Sequence, residues 1–163
     1  MTDIDVPSGV TVHANAGTVI VKGLKGEITR TFTYPSITIT VAGSQIKMVS
    51  ARATAREKKV LNTFEAHLNN MIRGAQEGHM YRLKICSGHF PMTVTVAGNE
   101  FVVKNFLGEK HPRTLPIDQR VKVNVQGQDV VVEGAALELV SQCAANIEKL
   151  TLERNRDRRI FQD

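Results

Sequence analysis

Two stretches of the chain resemble each other closely enough to decide the fold. Val19-Ile-Val-Lys-Gly-Leu-Lys-Gly-Glu27 aligns with Phe101-Val-Val-Lys-Asn-Phe-Leu-Gly-Glu109, and Thr38-Ile-Thr-Val-Ala-Gly43 aligns with Lys122-Val-Asn-Val-Gln-Gly127. The two pairs are separated by about 82 and 84 residues, so only a small gap is needed. An internal duplication explains this most simply, and it predicts two similar domains, residues 1–79 and 80–163.

The residues around the first stretch indicate antiparallel strands followed by one helix. Apolar and polar residues alternate, as at Ile37, Ile39 and Val41, and glycine-bearing turns separate the alternating runs. Period-two spacing of this kind is typical of strands with one buried face. From about residue 53 to 75 the apolar spacing changes to steps of three and four, which predicts an amphipathic helix that can cover that face.

The second half of the chain repeats this order of elements. Val121, Val123 and Val125 alternate with polar residues, Val130-Val-Val132 predicts a further strand, and helical apolar spacing follows it. The predicted fold class is therefore α+β, with two tandem similar domains, each a small antiparallel β-sheet packed by one α-helix.

The composition is that of an ordinary globular protein with a basic excess. The chain has 163 residues, 42% of them apolar and 23% charged, and a formal net charge of +5. Its longest apolar runs are far too short to span a bilayer. The acidic N-terminus lacks a basic segment followed by an apolar one, so we expect no secretory signal and a cytoplasmic protein whose Cys86 and Cys143 stay reduced.

The motifs of common enzymes are missing from the sequence. It contains neither a phosphate-binding Gly-Lys-Ser/Thr loop nor a Gly-x-Ser-x-Gly nucleophile elbow. Cys86 and His89 have a spacing that metal ligands use, but no second pair follows them. The matched Glu27 and Glu109 could form an acid–base pair, yet duplication already explains the match and a role in a turn is favoured. We therefore predict a non-enzymatic protein without a cofactor or a metal.

A loop after the second stretch carries several cations. It is bounded and shaped by Gly108 and Pro112, and the candidate phosphate-binding residues in and around it are Lys104, Lys110, His111 and Arg113. Cations on a loop of defined shape suit a polyanion backbone. The alternative is a solvated hairpin tip without a ligand.

The end of the chain is rich in arginine, whose planar fork matches phosphate oxygens bidentately. The candidate phosphate ligands there are Arg154, Arg156, Arg158 and Arg159. Glu153 and Asp157 partly neutralise them, so an exposed, salt-bridged helix end is the alternative. A third basic run, Arg52 to Lys59, opens the first predicted helix and is interpreted as a solvated face.

Several segments together resemble the ribosomal protein L6 family of the large subunit, in its archaeal or eukaryotic branch. They are Asn105-Phe-Leu-Gly-Glu-Lys110, Val131-Val-Glu-Gly134, Leu137-Glu-Leu-Val-Ser141 and Arg156-Asp-Arg158-Arg159-Ile-Phe-Gln-Asp163, with Val19-Ile-Val-Lys-Gly-Leu-Lys-Gly26, Asn70-Met-Ile-Arg-Gly74 and His89-Phe-Pro91 in the first half and at the boundary. The resemblance covers nearly the whole chain.

This resemblance implies a structural, non-enzymatic protein of the large subunit that binds large-subunit rRNA near the sarcin–ricin loop and the stalk base, next to other ribosomal proteins. It implies RNA contact mainly through the second domain, at Lys104, Lys110, His111, Arg113, Arg154, Arg156, Arg158 and Arg159. Members of the family continue several residues beyond Phe161. No membrane and no small-molecule substrate is expected. The alternative function is a protein–protein adaptor that pairs a sheet edge with a partner strand and binds no nucleic acid.

Overall fold

The chain divides into two compact units in the computed structural model, which describes residues 2–15, 17–52, 54–88 and 90–153. The division falls between Gly78 and His79, and the short piece Ala135–Leu137 groups with the first unit. None of the helices in these described ranges is long and apolar enough to cross a membrane.

The first unit contains six strands followed by one long helix. They are β1 (Thr2–Asp5), β2 (Thr11–Asn15), β3 (Thr18–Gly23), β4 (Gly26–Thr31), β5 (Ile37–Ala42), β6 (Gln45–Ser50) and α1 (Ala55–Gln76). The strands pair antiparallel in two three-stranded sheets, ordered β1-β6-β5 and β2-β3-β4. The central strands β3 and β6 thus have a partner on both sides.

The second unit has the same sequence of elements with one addition. They are β7 (His79–Lys84), β8 (Thr93–Ala97), β9 (Glu100–Lys104), a short 3-10 turn (Phe106–Gly108), β10 (Arg113–Pro116), β11 (Val121–Gln126), β12 (Asp129–Gly134) and α2 (Leu137–Leu150). The sheets are ordered β11-β12-β7 and β10-β9-β8. In each unit the first, sixth and fifth strands form one sheet, and the second to fourth strands form the other.

This shared topology confirms the predicted α+β class with two tandem similar halves, each with one helix. The strands of each half form two small sheets rather than one.

Each unit has its own apolar core, built from the alternation seen in the sequence. In the first unit, Val19 and Val21 of β3 are fully buried together with Leu68 of α1. In the second unit, Phe101 and Val103 occupy the corresponding places on β9. The aligned stretches are thus the central strands of their sheets, and their inward side chains anchor each helix.

The first unit also brings the β3–β4 hairpin directly onto the end of its helix. A Cβ atom at Gly23 would lie 2.5 Å from the carbonyl oxygen of Ala75, so only glycine allows this approach. The backbone N–H of Lys25 donates a hydrogen bond of 3.0 Å to the same oxygen. The hairpin thereby satisfies one of the carbonyl groups that the end of a helix leaves without a partner.

Replacement of Leu68 by alanine tests the burial of the α1 stripe. We expect the free energy of unfolding to fall by about 2–5 kcal/mol, because a fully buried leucine leaves a cavity as well as losing its transfer free energy. Urea denaturation measures the change. The matched control is Leu24→Ala, since Leu24 is 88% exposed at the hairpin tip and its loss should change the free energy by no more than about 0.5 kcal/mol. Equal effects of the two substitutions would contradict the described core.

Candidate nucleic-acid interface

The two units differ most where β9 is joined to β10. In the first unit, Gly23 pairs with Gly26, so a two-residue turn joins β3 to β4. In the second unit, Val103 pairs with Arg113, and residues 105–112 separate the strands. We call residues 105–112 the basic loop. Each unit thus has an equivalent pair of strands, β3–β4 or β9–β10, but the hairpin tip is enlarged in the second unit.

The register of these hairpins corrects one detail of the sequence alignment. Val21 pairs with Ile28 in the first unit, and Val103 pairs with Arg113 in the second. Arg113 thus takes the register position of Ile28, and Glu109 lies within the basic loop rather than at the place of Glu27. The shared Gly-Glu dipeptide concealed the extra residues that follow it in the second copy. Glu27 instead forms an ion pair within its own hairpin, where its Oε2 lies 3.9 Å from Nζ of Lys22.

The basic loop has a defined backbone that is anchored at several points. Asn105, Leu107 and Gly108 all have left-handed backbone angles, with φ of 59°, 50° and 79°. Such a conformation costs a leucine about 1–2 kcal/mol, so the surroundings must hold it in place. Phe106 is buried in the core and Leu107 packs against it. The side chain of Asn105 donates a hydrogen bond of 2.9 Å to the carbonyl oxygen of Pro91.

Arg113 fastens the loop to the end of α2. Its Nε donates to Glu109 Oε2 at 2.8 Å, and its Nη2 donates to the other oxygen of the same carboxylate. Nη1 donates to the carbonyl oxygen of Leu150, and Nη2 also donates to Glu153 Oε1, each at 2.8 Å. The guanidinium carbon lies 4.3 Å from the centroid of the Phe106 ring.

These contacts use four of the five N–H donors of Arg113 within the protein. The hydrogen bonds from Arg113 hold the pKa of Glu109 below its ordinary value. The hydrogen bonds to Glu109 are the main cause that raises the pKa of Arg113; partial burial opposes the rise, and the hydrogen bond to Glu153 adds to it. Arg113 was predicted as a phosphate ligand, but the structure leaves it a single N–H donor for an outside acceptor.

The other candidate residues around the loop are differently placed. Lys104 ends β9, and Lys110 and His111 lie in the basic loop beyond Glu109; all three are exposed. In the described part of the chain, none of these three side chains forms an ion pair. The structure thus brings three cationic or titratable groups to one hairpin tip. The remaining candidates, Arg154, Arg156, Arg158 and Arg159, lie outside the described residues.

Sequence reasoning missed the residues that hold the loop. Phe106 supplies the ring beneath Arg113, while Glu153 and the Leu150 carbonyl supply acceptors from the end of α2. Glu109 and Arg113 are only four residues apart, but the i, i+4 rule applies within a helix, and these residues lie in a loop and at the start of a strand. The contacts with Leu150 and Glu153 join residues about 40 positions apart, which no local pattern reveals.

The thiols and other possible metal ligands form no site in the part of the chain that is described. Cys86 is an exposed free thiol and Cys143 a partly buried one, and burial raises the pKa of Cys143. No group of three or more His, Cys, Asp and Glu side chains in the described ranges could hold a metal ion. His89, the other half of the Cys86 spacing, lies outside those ranges.

Comparison with known proteins gives one consistent result. The family model described as "Ribosomal protein L6" matches residues 6–78 and 90–163. The chain is 42% identical over 161 residues to a "Large ribosomal subunit protein uL6" of Methanobrevibacter smithii, covering 99% of this chain and 90% of the relative. It is 43% identical over 161 residues to the protein of that name from Aeropyrum pernix, covering 98% and 88%. It is 41% identical over 162 residues to the protein of that name from Saccharolobus solfataricus, and the match covers 99% of this chain and 90% of the relative.

The ion pair at the basic loop predicts a specific dependence of stability on pH. The pKa of Glu109 is lowered in the folded protein, so the pair stabilises the fold fully above the ordinary pKa of about 4.5 and loses this effect as pH falls through the lowered value. Glu109→Gln should therefore lower the melting temperature at pH 7, and the difference from the unsubstituted protein should close on acidification below pH 4.5. Thermal melts followed by circular dichroism at both pH values measure this.

Glu100→Gln is the matched control for that experiment. It makes the same charge change at the far end of β9, away from Arg113. If the two variants showed the same pH dependence, Glu109 would have no special role in holding the loop.

Proposed function

The chain belongs to the ribosomal protein L6 family, and from this premise we propose that it is a structural component of the large ribosomal subunit that binds large-subunit rRNA. It is a structural protein and not an enzyme. It works within cytoplasmic ribosomes, among rRNA and other ribosomal proteins.

The observation that carries this proposal for the chain's own residues is the basic loop. The hairpin tip is enlarged in one unit alone, and the enlargement exposes Lys110 and His111 beside Lys104. Arg113 and Phe106 hold its backbone in a strained conformation, so the loop is ordered before any ligand binds. Preorganisation lowers the entropy cost of binding, and cations at a fixed spacing can read the backbone shape of folded RNA.

We assign phosphate contact to two groups of residues in the second unit. The first group is Lys104, Lys110 and His111 around the basic loop, and the second is Arg154, Arg156, Arg158 and Arg159. Arg113 is assigned to the support of the loop, because its donors are engaged within the protein. This division follows from the hydrogen bonds of Arg113 and from the exposure of the two lysines and the histidine.

The location that we propose is the neighbourhood of the sarcin–ricin loop and the base of the stalk, where translation factors bind. Its support is the resemblance of Asn105-Phe-Leu-Gly-Glu-Lys110 and the arginine-rich end to the family. At such a place the protein would neutralise phosphates where RNA helices approach one another closely. Neighbouring ribosomal proteins at the stalk base are its proposed protein partners.

Substitution of one loop lysine tests the phosphate contacts. Lys110→Gln should weaken binding to a large-subunit rRNA transcript and reduce the slope of log affinity against log salt by about 0.7–0.9, the effect of one lost phosphate contact. Filter binding at several salt concentrations measures both. The matched control is Lys25→Gln, because Lys25 lies at the corresponding hairpin tip of the first unit. A change of equal size in both variants would show that the basic loop is not part of the RNA interface.

The same titration distinguishes the adaptor function. A protein that bound only a partner strand through a sheet edge would show no affinity for rRNA fragments and weak salt dependence.

A footprint tests the proposed location. The bound protein should protect backbone positions in and beside the sarcin–ricin loop from hydroxyl radicals, and the double variant Lys104→Gln, Lys110→Gln should lose part of this protection. Protection confined to another region of the rRNA would refute the location and leave the rRNA-binding function standing.

A further inference from the structure

Two loops of the second unit are longer than their counterparts in the first, and they contact each other. Residues 6–10 join β1 to β2, whereas residues 85–92 join β7 to β8. The two-residue turn between β3 and β4 likewise corresponds to the longer basic loop between β9 and β10. The side chain of Asn105, at the start of the basic loop, donates to the carbonyl oxygen of Pro91 in the other loop. The two enlarged loops therefore form one continuous surface of the second unit.

Phe90 brings an aromatic ring onto this surface. Its near neighbour Met92 packs against the core of the second unit, whereas Phe90 is 39% exposed. A Cβ atom added at Gly108 would lie 3.5 Å from Cε1 of Phe90, so the ring lies against the backbone of the basic loop. A ring that is already seated on an ordered backbone loses little conformational entropy when a ligand covers its exposed part.

The loop cations are close to this ring. Lys110 follows Gly108 by two residues, so their Cα atoms are at most about 7.6 Å apart. Lys110 and the next residue, His111, are both exposed. An exposed aromatic side chain alone needs no explanation. An aromatic ring beside cations is typical of surfaces that bind unpaired nucleotides, because the base stacks on the ring while the cations bind the phosphate backbone.

We propose that Phe90 is a base-stacking residue, on whose ring an unpaired rRNA base lies while Lys110 binds the adjoining phosphate backbone. This inference rests on the proposed function and deepens it, since it adds a base contact to the phosphate contacts. Every base has an aromatic face, so stacking of this kind selects an unpaired nucleotide over a paired one without selecting its identity. The ligand is therefore a looped or bulged nucleotide, because the bases of a continuous RNA helix are stacked on one another.

Replacement of Phe90 by leucine tests the stacking contact. Leucine keeps an apolar side chain against Gly108 but has no aromatic face, so affinity for a large-subunit rRNA transcript should fall about fivefold or more, from the lower end of the range for one lost base stack. The slope of log affinity against log salt should stay unchanged, because no phosphate contact is lost. Filter binding at several salt concentrations measures both. Lys110→Gln, in contrast, should reduce the slope.

Two further variants separate stacking from packing. Phe90→Tyr keeps the aromatic ring and should bind the transcript as tightly as the unsubstituted protein. Tyr81→Leu removes an aromatic side chain of nearly the same exposure, 38%, from β7 in the other sheet of the unit, and it should leave affinity unchanged. Thermal melts of each variant record its stability.

The outcomes distinguish this inference from the function on which it rests. Unchanged affinity of Phe90→Leu, or an equal loss in Phe90→Tyr, would overturn base stacking and leave rRNA binding intact. A loss of affinity accompanied by a reduced salt slope would also overturn it, since Phe90 would then act by supporting the cations of the basic loop. Absence of salt-dependent rRNA binding by the unsubstituted protein would overturn both proposals.

Discussion

The partly buried guanidinium of Arg113 is the interaction on which the candidate interface depends. A guanidinium removed from water is stable only when its donors are satisfied, and here a loop carboxylate, a helix-end carbonyl and a second carboxylate satisfy them. The same contacts hold three separate parts of the chain, namely the basic loop, the start of β10 and the end of α2. The positions of the exposed Lys110 and His111 therefore depend on Arg113, whose own side chain is partly buried.

Both units use the corresponding hairpin to complete the end of their helix, but with different chemistry. In the first unit a backbone N–H, from Lys25, donates to the carbonyl of Ala75 in α1. In the second unit a side chain, Arg113, donates to the carbonyl of Leu150 in α2. The requirement is the same in both cases, since the last carbonyls of a helix need donors. In the second unit the long side chain of Arg113 supplies the donor, so the hairpin does not need a tight turn there. The eight-residue loop that carries Lys110 and His111 takes the place of that turn.

The fold followed from sequence because its signals are local and occur twice. Alternation along β3 and β9 and the helical stripe of α1 are set by backbone geometry, and the duplication let each half support the interpretation of the other. The exposure of Lys110 and His111 also followed, because the sequence places them in a turn between Gly108 and Pro112; their contact with phosphate stays a prediction. The role of Arg113 could not, since its acceptors at Leu150 and Glu153 are distant in sequence. The division of each half into two sheets depends on strand pairing, which alternation does not specify.

The register match between Ile28 and Arg113 has a consequence for the length of the turn. With a two-residue turn, as in the first unit, an arginine at this register position would lack Glu109 to receive its hydrogen bonds. The eight-residue loop and the arginine therefore depend on each other, and a variant with a shortened turn would need an aliphatic residue in place of Arg113.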